Sequence, residues 1–323
     1  MDNATHTLTG LFLSRAGLNR WTPDATPILM LAGNLPDFDA ISAFGGAATY
    51  LHWHRNLTHS ILLAPVLALL TAGLFKVVRR QIALGPAFLV ALVGVASHLL
   101  LDTTNIYGVR LLLPFSGEWF RWDLTPVIDL WIWSVFLICL AGPFLSKLVS
   151  SEIGGASRNR HKYPGRGFAI LALVFVVTYN LGRMVMHTRV LEMLEAREYE
   201  GSAPLRVAAF PVSENPLRWK GLAETSGSYL LFQIDLLSQF DPTLGEKAPK
   251  AESSPATEAA NRTYAFQVLR EFAAYPLYRV IPGAGFEGGY RVELSDLRFA
   301  FTSVALLDRD NRVRKSEFHF GPQ

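Results

Sequence analysis

The sequence predicts an all-α polytopic membrane domain followed by a small α+β domain built on antiparallel hairpins. Two observations carry this prediction: a low content of charged residues, and long apolar runs that give way to short alternating ones. Hydrophobic residues make up 50% of the chain and charged residues only 18%. Soluble domains carry about 25% charged residues, so the deficit favours a membrane protein.

Four apolar runs are long enough for membrane-spanning helices, which need about 20 residues to cross the hydrocarbon core. They cover residues 60–78, 82–101, 126–149 and 168–186. A shorter run, 26–35, is too brief to span, and we expect it to be re-entrant or interfacial beside an amphipathic N-terminal helix. Buried core helices of a soluble protein are the alternative, but four such runs leave little polar surface.

Basic residues set the predicted orientation. The two links richest in them, after the first and third runs, contain Lys76, Arg79, Arg80, Lys147, Arg158, Arg160, Lys162 and Arg166. Because basic links face the cytoplasm, we expect the N-terminal segment, the loop 102–125 and the region after 186 on the other side. Arg183 and Arg189 oppose this assignment.

The composition changes after roughly residue 200, and we predict a membrane domain over 1–195 and a soluble α+β domain over 196–323. Short alternating runs at 229–234, 290–294 and 299–306 are separated by glycine-, serine- or aspartate-rich turns. This pattern is typical of antiparallel hairpins.

Composition also excludes several kinds of site. The single cysteine, Cys139, excludes disulfides and cysteine-based metal sites. The net charge of +3, with a pI near 9.0, is too mild to indicate nucleic acid, so we expect no nucleic-acid partner. Membrane lipids are the expected surroundings.

The strongest chemical motif is His98-x-x-x-Asp102 at the end of the second run. Residues four apart lie on one face of a helix, so both side chains can reach one ion. Ionisable groups this close to hydrocarbon are costly and indicate function. The alternative is a histidine bonded to a backbone carbonyl and an aspartate at the headgroup level.

More histidines precede the first run. His59 opens that run, so it lies at the same predicted membrane surface as Asp102. His54 and His59 would diverge by about 140° on a regular helix, so at least one is expected in a loop or a helix-start turn. Arg55 between them offers a forked clamp for an oxyanion or phosphate. His52 is a weaker candidate than His54.

Two further pairs complete the candidate set. Asp37 and Asp39 face the same way in an extended backbone, although Pro-Asp-x-Asp alone is more typical of a solvated turn. Asp2 and His6 lie four apart at the start of the N-terminal helix. The predicted metal ligands are therefore His6, Asp37, Asp39, His54, His59, His98 and Asp102.

Imidazole and carboxylate donors favour zinc, with manganese or iron as alternatives, and one or two ions. Two-metal sites commonly hydrolyse phosphate esters or amides. Residues beside the ligands are expected to orient imidazoles or bind substrate oxygen, and Asp129 to hydrogen-bond a ligand histidine. These supporting residues are Asp2, Thr58, Asn105, Tyr107 and Asp129.

The ordered motifs resemble one known family. They are Asp2-x-x-x-His6, Asn34-Leu35-Pro36-Asp37-Phe38-Asp39, His54-Arg55-x-x-Thr58-His59-Ser60 and His98-x-x-x-Asp102, followed by Tyr107-Gly108, Pro114-Phe115 and Asp129. The family is the membrane-bound metal-dependent hydrolases, also labelled LexA-binding, inner-membrane-associated hydrolases. The resemblance covers about residues 1–190 and implies a multi-pass protein of a bacterial inner membrane; the tail is similar only to longer members.

The resemblance implies metal-dependent hydrolysis. The His-x-x-x-Asp element is also similar to zinc-dependent phospholipase C and to single-strand-specific nucleases. This chain lacks their His-x-x-x-Glu element, which leaves the substrate and the metal count open. Nothing in the sequence looks like a LexA contact.

Two functions stay open. In the first, the protein is a hydrolase of a phosphoester in a lipid or lipid-linked molecule, with Arg55 and Asp39 as catalytic residues. In the second, a structural ion fastens the N-terminal segment to the helices of a scaffold or regulator, and the C-terminal domain binds a protein partner. A catalytic ion needs an open coordination position, and a structural ion does not. A haem protein or ion conductor is disfavoured because only His98 lies inside a run.

Overall fold

The computed structural model describes residues 1–152 and 165–321. Arg158, Arg160 and Lys162 of the predicted cytoplasmic link lie outside the described residues. Short 3-10 helices, among them Pro36–Gly45 and Leu57–His59, connect the N-terminal helices. Those helices are α1 (Asn3–Ala16), α2 (Ala25–Ala32), α3 (Ala47–Trp53), α4 (Ala64–Val78), α5 (Leu84–Thr104), α6 (Leu130–Glu152) and α7 (Arg166–Glu195).

Three helices within the described residues are long and apolar enough to cross a membrane: α5, α6 over Leu130–Val149, and α7. A fourth span is present if the bent pair Ala47–His59 and Ala64–Val78 counts as one. Alone, the 15 residues of α4 rise about 22 Å, less than the ~30 Å hydrocarbon core. The predicted fold class, a helical membrane domain followed by an α+β domain, is confirmed.

Close packing of α2 against α5 relies on a glycine. Buried Leu29 and Ala32 on α2 share one apolar core with α5. A Cβ atom at Gly94 would lie 2.9 Å from the Ala32 Cβ and 3.2 Å from the Leu29 carbonyl oxygen. Only a small residue lets two helix backbones approach this closely. Gly94 therefore sets the distance between α2 and α5, one turn before His98.

Replacing Gly94 with alanine is expected to destabilise the protein by about 1–3 kcal/mol, because the added methyl overpacks the contact with α2. Gly85→Ala in the same helix is the matched control. A Cβ there meets nothing within 4 Å, so this change should be neutral or slightly stabilising. Thermal unfolding in detergent measures both variants, and equal midpoints would contradict this role for Gly94.

The C-terminal domain consists of two antiparallel sheets and two helices. The strand orders are β1-β2-β3-β4 and β5-β6-β7-β8. Asp308 accepts hydrogen bonds from the Asp310 and Arg312 N–H groups, which makes the hairpin turn expected of an aspartate. The elements are β1 (Arg206–Pro211), β2 (Arg218–Glu224), β3 (Ser228–Asp235), β4 (Glu246–Pro249), α8 (Pro255–Asn261), α9 (Tyr264–Phe272), β5 (Pro276–Pro282), β6 (Tyr290–Asp296), β7 (Thr302–Leu307) and β8 (Val313–His319).

The chain divides into two compact units. The membrane unit comprises Met1–Phe38, Arg55–Arg189 and Pro211–Arg218. The C-terminal unit comprises Asp39–His54, Val190–Phe210 and the residues from Trp219 onward. The C-terminal unit thus includes a segment from the N-terminal half, because α3 packs against α9 and β8.

Candidate metal centre

Four side chains of the membrane unit converge on one point. Asp37, His59, His98 and Asp102 are all buried, and each offers a ligand atom within 4.8 Å of the other three. Asp37 lies in the 3-10 helix after α2, and His59 ends the 3-10 helix before α4. His98 and Asp102 lie one turn apart on α5, as their spacing predicts.

The separations match a coordinated ion. His59 Nε2 lies 3.0 Å from His98 Nε2, 3.3 Å from Asp37 Oδ1 and 3.6 Å from Asp102 Oδ2. His98 Nε2 lies 3.7 Å from Asp37 Oδ1 and 3.4 Å from Asp102 Oδ2. Ligand atoms bound tetrahedrally to zinc are about 3.3 Å apart, given metal–ligand bonds of about 2.0–2.1 Å. The cluster can therefore hold a metal ion.

Outer partners turn both imidazoles toward the cluster. His98 Nδ1 lies 2.7 Å from the Gly33 carbonyl oxygen, to which it donates, so Nε2 carries the lone pair. Thr58 Oγ1 lies 3.1 Å from His59 Nδ1, close enough to orient the other ring by a hydrogen bond. The lone pair of His98 Nε2 is directed at the cluster, where a cation can accept it.

The two oxygens of Asp102 have different surroundings. Oδ1 accepts hydrogen bonds from Arg55 Nη2 at 3.1 Å and Asn105 Nδ2 at 3.2 Å, and it contacts the Met1 amino nitrogen. Oδ2 has no hydrogen-bond donor among the described residues. A buried carboxylate oxygen without a donor is costly, and coordination to an ion would satisfy it.

Arg55, predicted as an anion clamp, is held by protein acceptors. Its guanidinium is buried, donates to Asn105 Oδ1 and the Gly108 carbonyl as well as to Asp102, and lies 4.6 Å from the Tyr107 ring centroid. The Arg55 backbone has a positive φ of 59°, which turns the chain between α3 and His59. Arg55 therefore holds the candidate ligand Asp102 and the loop that follows α5 in place.

His6 on α1 lies against the cluster but outside the set of four donors. Its ring stacks on His98 with centroids 3.8 Å apart, and its Nε2 lies 3.3 Å from Asp102 Oδ1. Neither ring nitrogen has a hydrogen-bond partner among the described residues. Burial, followed by the neighbouring His98, lowers the pKa of His6 well below its usual value.

Asp39 and His54 belong to the C-terminal unit. His54 Nδ1 lies 2.8 Å from Asp39 Oδ1, and the His54 ring stacks on Tyr50 with centroids 4.6 Å apart. His52 lies in the same unit, 3.7 Å from a Glu271 carboxylate oxygen.

Two predicted supporting aspartates act at helix N-termini. Asp2 accepts hydrogen bonds from the Ala4 and Thr5 N–H groups and caps α1. Asp129 Oδ1 accepts from the Trp131 and Ile132 N–H groups at the start of α6, and Oδ2 accepts from the Tyr179 hydroxyl at 3.0 Å. Both satisfy helix donors that have no intrahelical acceptor. Among the described residues, Asp129 therefore hydrogen-bonds to groups other than the candidate ligand histidines.

Sequence reasoning missed the parts played by Gly33 and Gly94. A backbone carbonyl that orients a histidine has no side-chain signature. The available signal was the spacing: Gly94 lies four residues before His98, on the same helix face, and Gly33 precedes the Asn34–Asp39 motif.

Comparison with known proteins places these residues in a family. The family model described as YdjM inner membrane protein matches residues 1–190, which include all four donors. The chain is 27% identical over 202 residues to YfhP of Bacillus subtilis (strain 168), named as an uncharacterized protein. That alignment covers 60% of this chain and 57% of YfhP, and no solved structure matches. The chain therefore belongs to the YdjM inner membrane protein family.

Proposed function

We propose that this protein is a membrane-embedded, metal-dependent hydrolase of a phosphoester in a lipid or lipid-linked substrate. The observation that carries the proposal is the buried set of two histidines and two aspartates at ligand-like separations. Structural zinc sites are typically cysteine-rich, whereas histidine and carboxylate ligands are common in catalytic ones. Zinc suits this set best, and manganese or iron accept similar donors.

The chain's own residues have distinct roles in this proposal. A bound divalent ion would supply Lewis acidity and an activated water at neutral pH. Asp37 is 7% exposed, whereas His59, His98 and Asp102 are each fully buried at 0%, so the substrate approaches on the Asp37 side. Arg55 holds Asp102 in position. Ligation by His54, base catalysis by Asp39 and binding of a substrate anion by Arg55 remain predictions.

The distribution of basic residues supports an extracytoplasmic site. His59 precedes the start of α4, and Asp102 lies near the end of α5. The basic link with Lys76, Arg79 and Arg80 lies at the opposite ends of both helices. Since basic links face the cytoplasm, we infer that the cluster of four donors lies on the extracytoplasmic side of the inner membrane. The predicted orientation puts the C-terminal unit on the same side.

A structural ion is the second candidate, and the completeness of the donor set favours it. Four protein ligands in a tetrahedron leave no open coordination position. Such an ion would fasten the Asp37 and His59 loops to α5. The protein would then be a scaffold or regulator, and the C-terminal unit would bind its partner.

Hydrolysis by zinc-loaded protein separates the two candidates. Purified protein in mixed micelles is assayed for headgroup or phosphate release from a panel of phospholipids and lipid phosphates. We expect His59→Gln to lower the turnover rate, because it replaces a metal ligand. The decrease should exceed the roughly 10–100-fold loss that follows removal of a hydrogen-bond partner of a metal ligand. His319→Ala, which removes a histidine from β8 of the C-terminal unit, should retain turnover. A stably bound ion that does not exchange, without turnover on any substrate, would establish the structural role.

A further inference from the structure

Large apolar side chains are exposed beside the metal ligands. We call Phe38, Leu57, Ile61, Leu112 and Phe115 the collar; all five are exposed, Phe38 by 67% and Phe115 by 85%. Phe38 directly follows the ligand Asp37, and Leu57 and Ile61 lie two residues to either side of His59. Exposed patches of this kind mark binding surfaces.

Two contacts join the three collar segments. Asp37 Oδ1 lies 3.3 Å from His59 Nε2, which brings the Phe38 segment to the segment of Leu57 and Ile61. The Ile61 N–H donates to the Leu111 carbonyl oxygen at 2.9 Å, which adds the loop of Leu112 and Phe115. All three segments lie in the membrane unit. The collar therefore borders one end of the cluster of four donors.

The surroundings of the collar match lipid. Residues 56–63 and 111–117 contain no Asp, Glu, Lys or Arg. The segment of Ile61 leads directly into α4, whose Val66, Leu69 and Leu70 are also exposed. The collar is thus continuous with the apolar outer surface of helices that lie beside a membrane span.

We propose that the collar contacts the acyl chains of bilayer lipids, so that the cluster of four donors lies at the depth of the lipid headgroups. A lipid would then reach the cluster from within the bilayer, with its phosphoester beside Asp37. The lipid contact rests on the collar and the membrane spans. Only the delivery of a substrate rests on the proposed hydrolase function.

Spin labels measure the depth of the collar directly. Cys139 is the single cysteine, and it is buried, so Cys139→Ala gives a background without cysteine. Phe38→Cys and Phe115→Cys each receive a nitroxide, and the full chain is reconstituted in vesicles of phosphatidylcholine and phosphatidylglycerol. We expect both labels to be more accessible to oxygen, which partitions into lipid, than to a water-soluble nickel chelate. Glu118→Cys, an exposed polar position in the same loop, should show the reverse.

Far-ultraviolet circular dichroism and gel filtration of each labelled variant control for folding. If the labels at positions 38 and 115 are as accessible to the nickel chelate as the label at position 118, the collar does not contact acyl chains and the proposal fails. That result would not contradict the metal site or the hydrolase proposal. Conversely, lipid-accessible labels support the collar even if no phosphoester is hydrolysed, so the two proposals fail separately.

Discussion

Replacing both His98 and Asp102 with alanine is expected to reduce bound metal from about one equivalent to none. The double variant removes two of the four donors, and the remaining pair, Asp37 and His59, cannot complete a tetrahedral site. Elemental mass spectrometry on protein purified in detergent without chelators measures the loss. This is the largest effect we expect from any substitution, because a metal site fails when ligands are missing.

Two controls make the metal measurement specific. His319→Ala removes a histidine from the C-terminal unit and should leave the metal content unchanged. His6→Ala removes the ring that stacks on His98 but none of the four donors, so the ion should stay bound with lower affinity. A wild-type protein that folds stably and carries no metal would refute the metal centre and the hydrolase proposal together.

Arg55→Leu is expected to destabilise the metal-free protein by about 3–5 kcal/mol, the usual cost of removing one partner from a buried ion pair. Arg55 Nη2 lies 3.1 Å from Asp102 Oδ1, and both side chains are buried. Without Arg55, the Asp102 carboxylate loses its charged side-chain partner in the interior. Zinc should recover part of the loss, because the ion neutralises Asp102 and stabilises the folded state by binding it.

Thermal unfolding with chelator and with zinc tests the Arg55 prediction. Arg314→Leu is the matched control: Arg314 pairs with Asp308 in the C-terminal unit but is half exposed, so its loss should cost no more than about 1 kcal/mol. Arg55→Lys keeps the charge but loses the forked geometry, and it should fall between Arg55→Leu and the wild type. Equal effects of Arg55→Leu and Arg314→Leu would show that Arg55 does not hold Asp102.

Local patterns in the sequence predicted much of the fold. The length and apolar character of the runs predicted α5, α6 and α7, because a span must satisfy its backbone internally and match the hydrocarbon thickness. Alternation with turn residues predicted the hairpins of the C-terminal unit. The spacing of His98 and Asp102 placed both on one face of α5, since four residues make about one helical turn.

Only the tertiary structure decided which candidates meet. Asp37 and His59 come from different segments of the chain and meet beside the His98–Asp102 pair on α5. The structure also shows a contact that spacing did not predict, because Arg55, predicted as a clamp for a substrate anion, donates a hydrogen bond to Asp102 Oδ1. Periodicity fixes the face of a helix, but the meeting of distant loops depends on packing, here the approach of α2 to α5 at Gly94. The sequence by itself therefore determined the three long apolar helices and the His98–Asp102 pair, whereas packing decided that Asp37 and His59 join that pair.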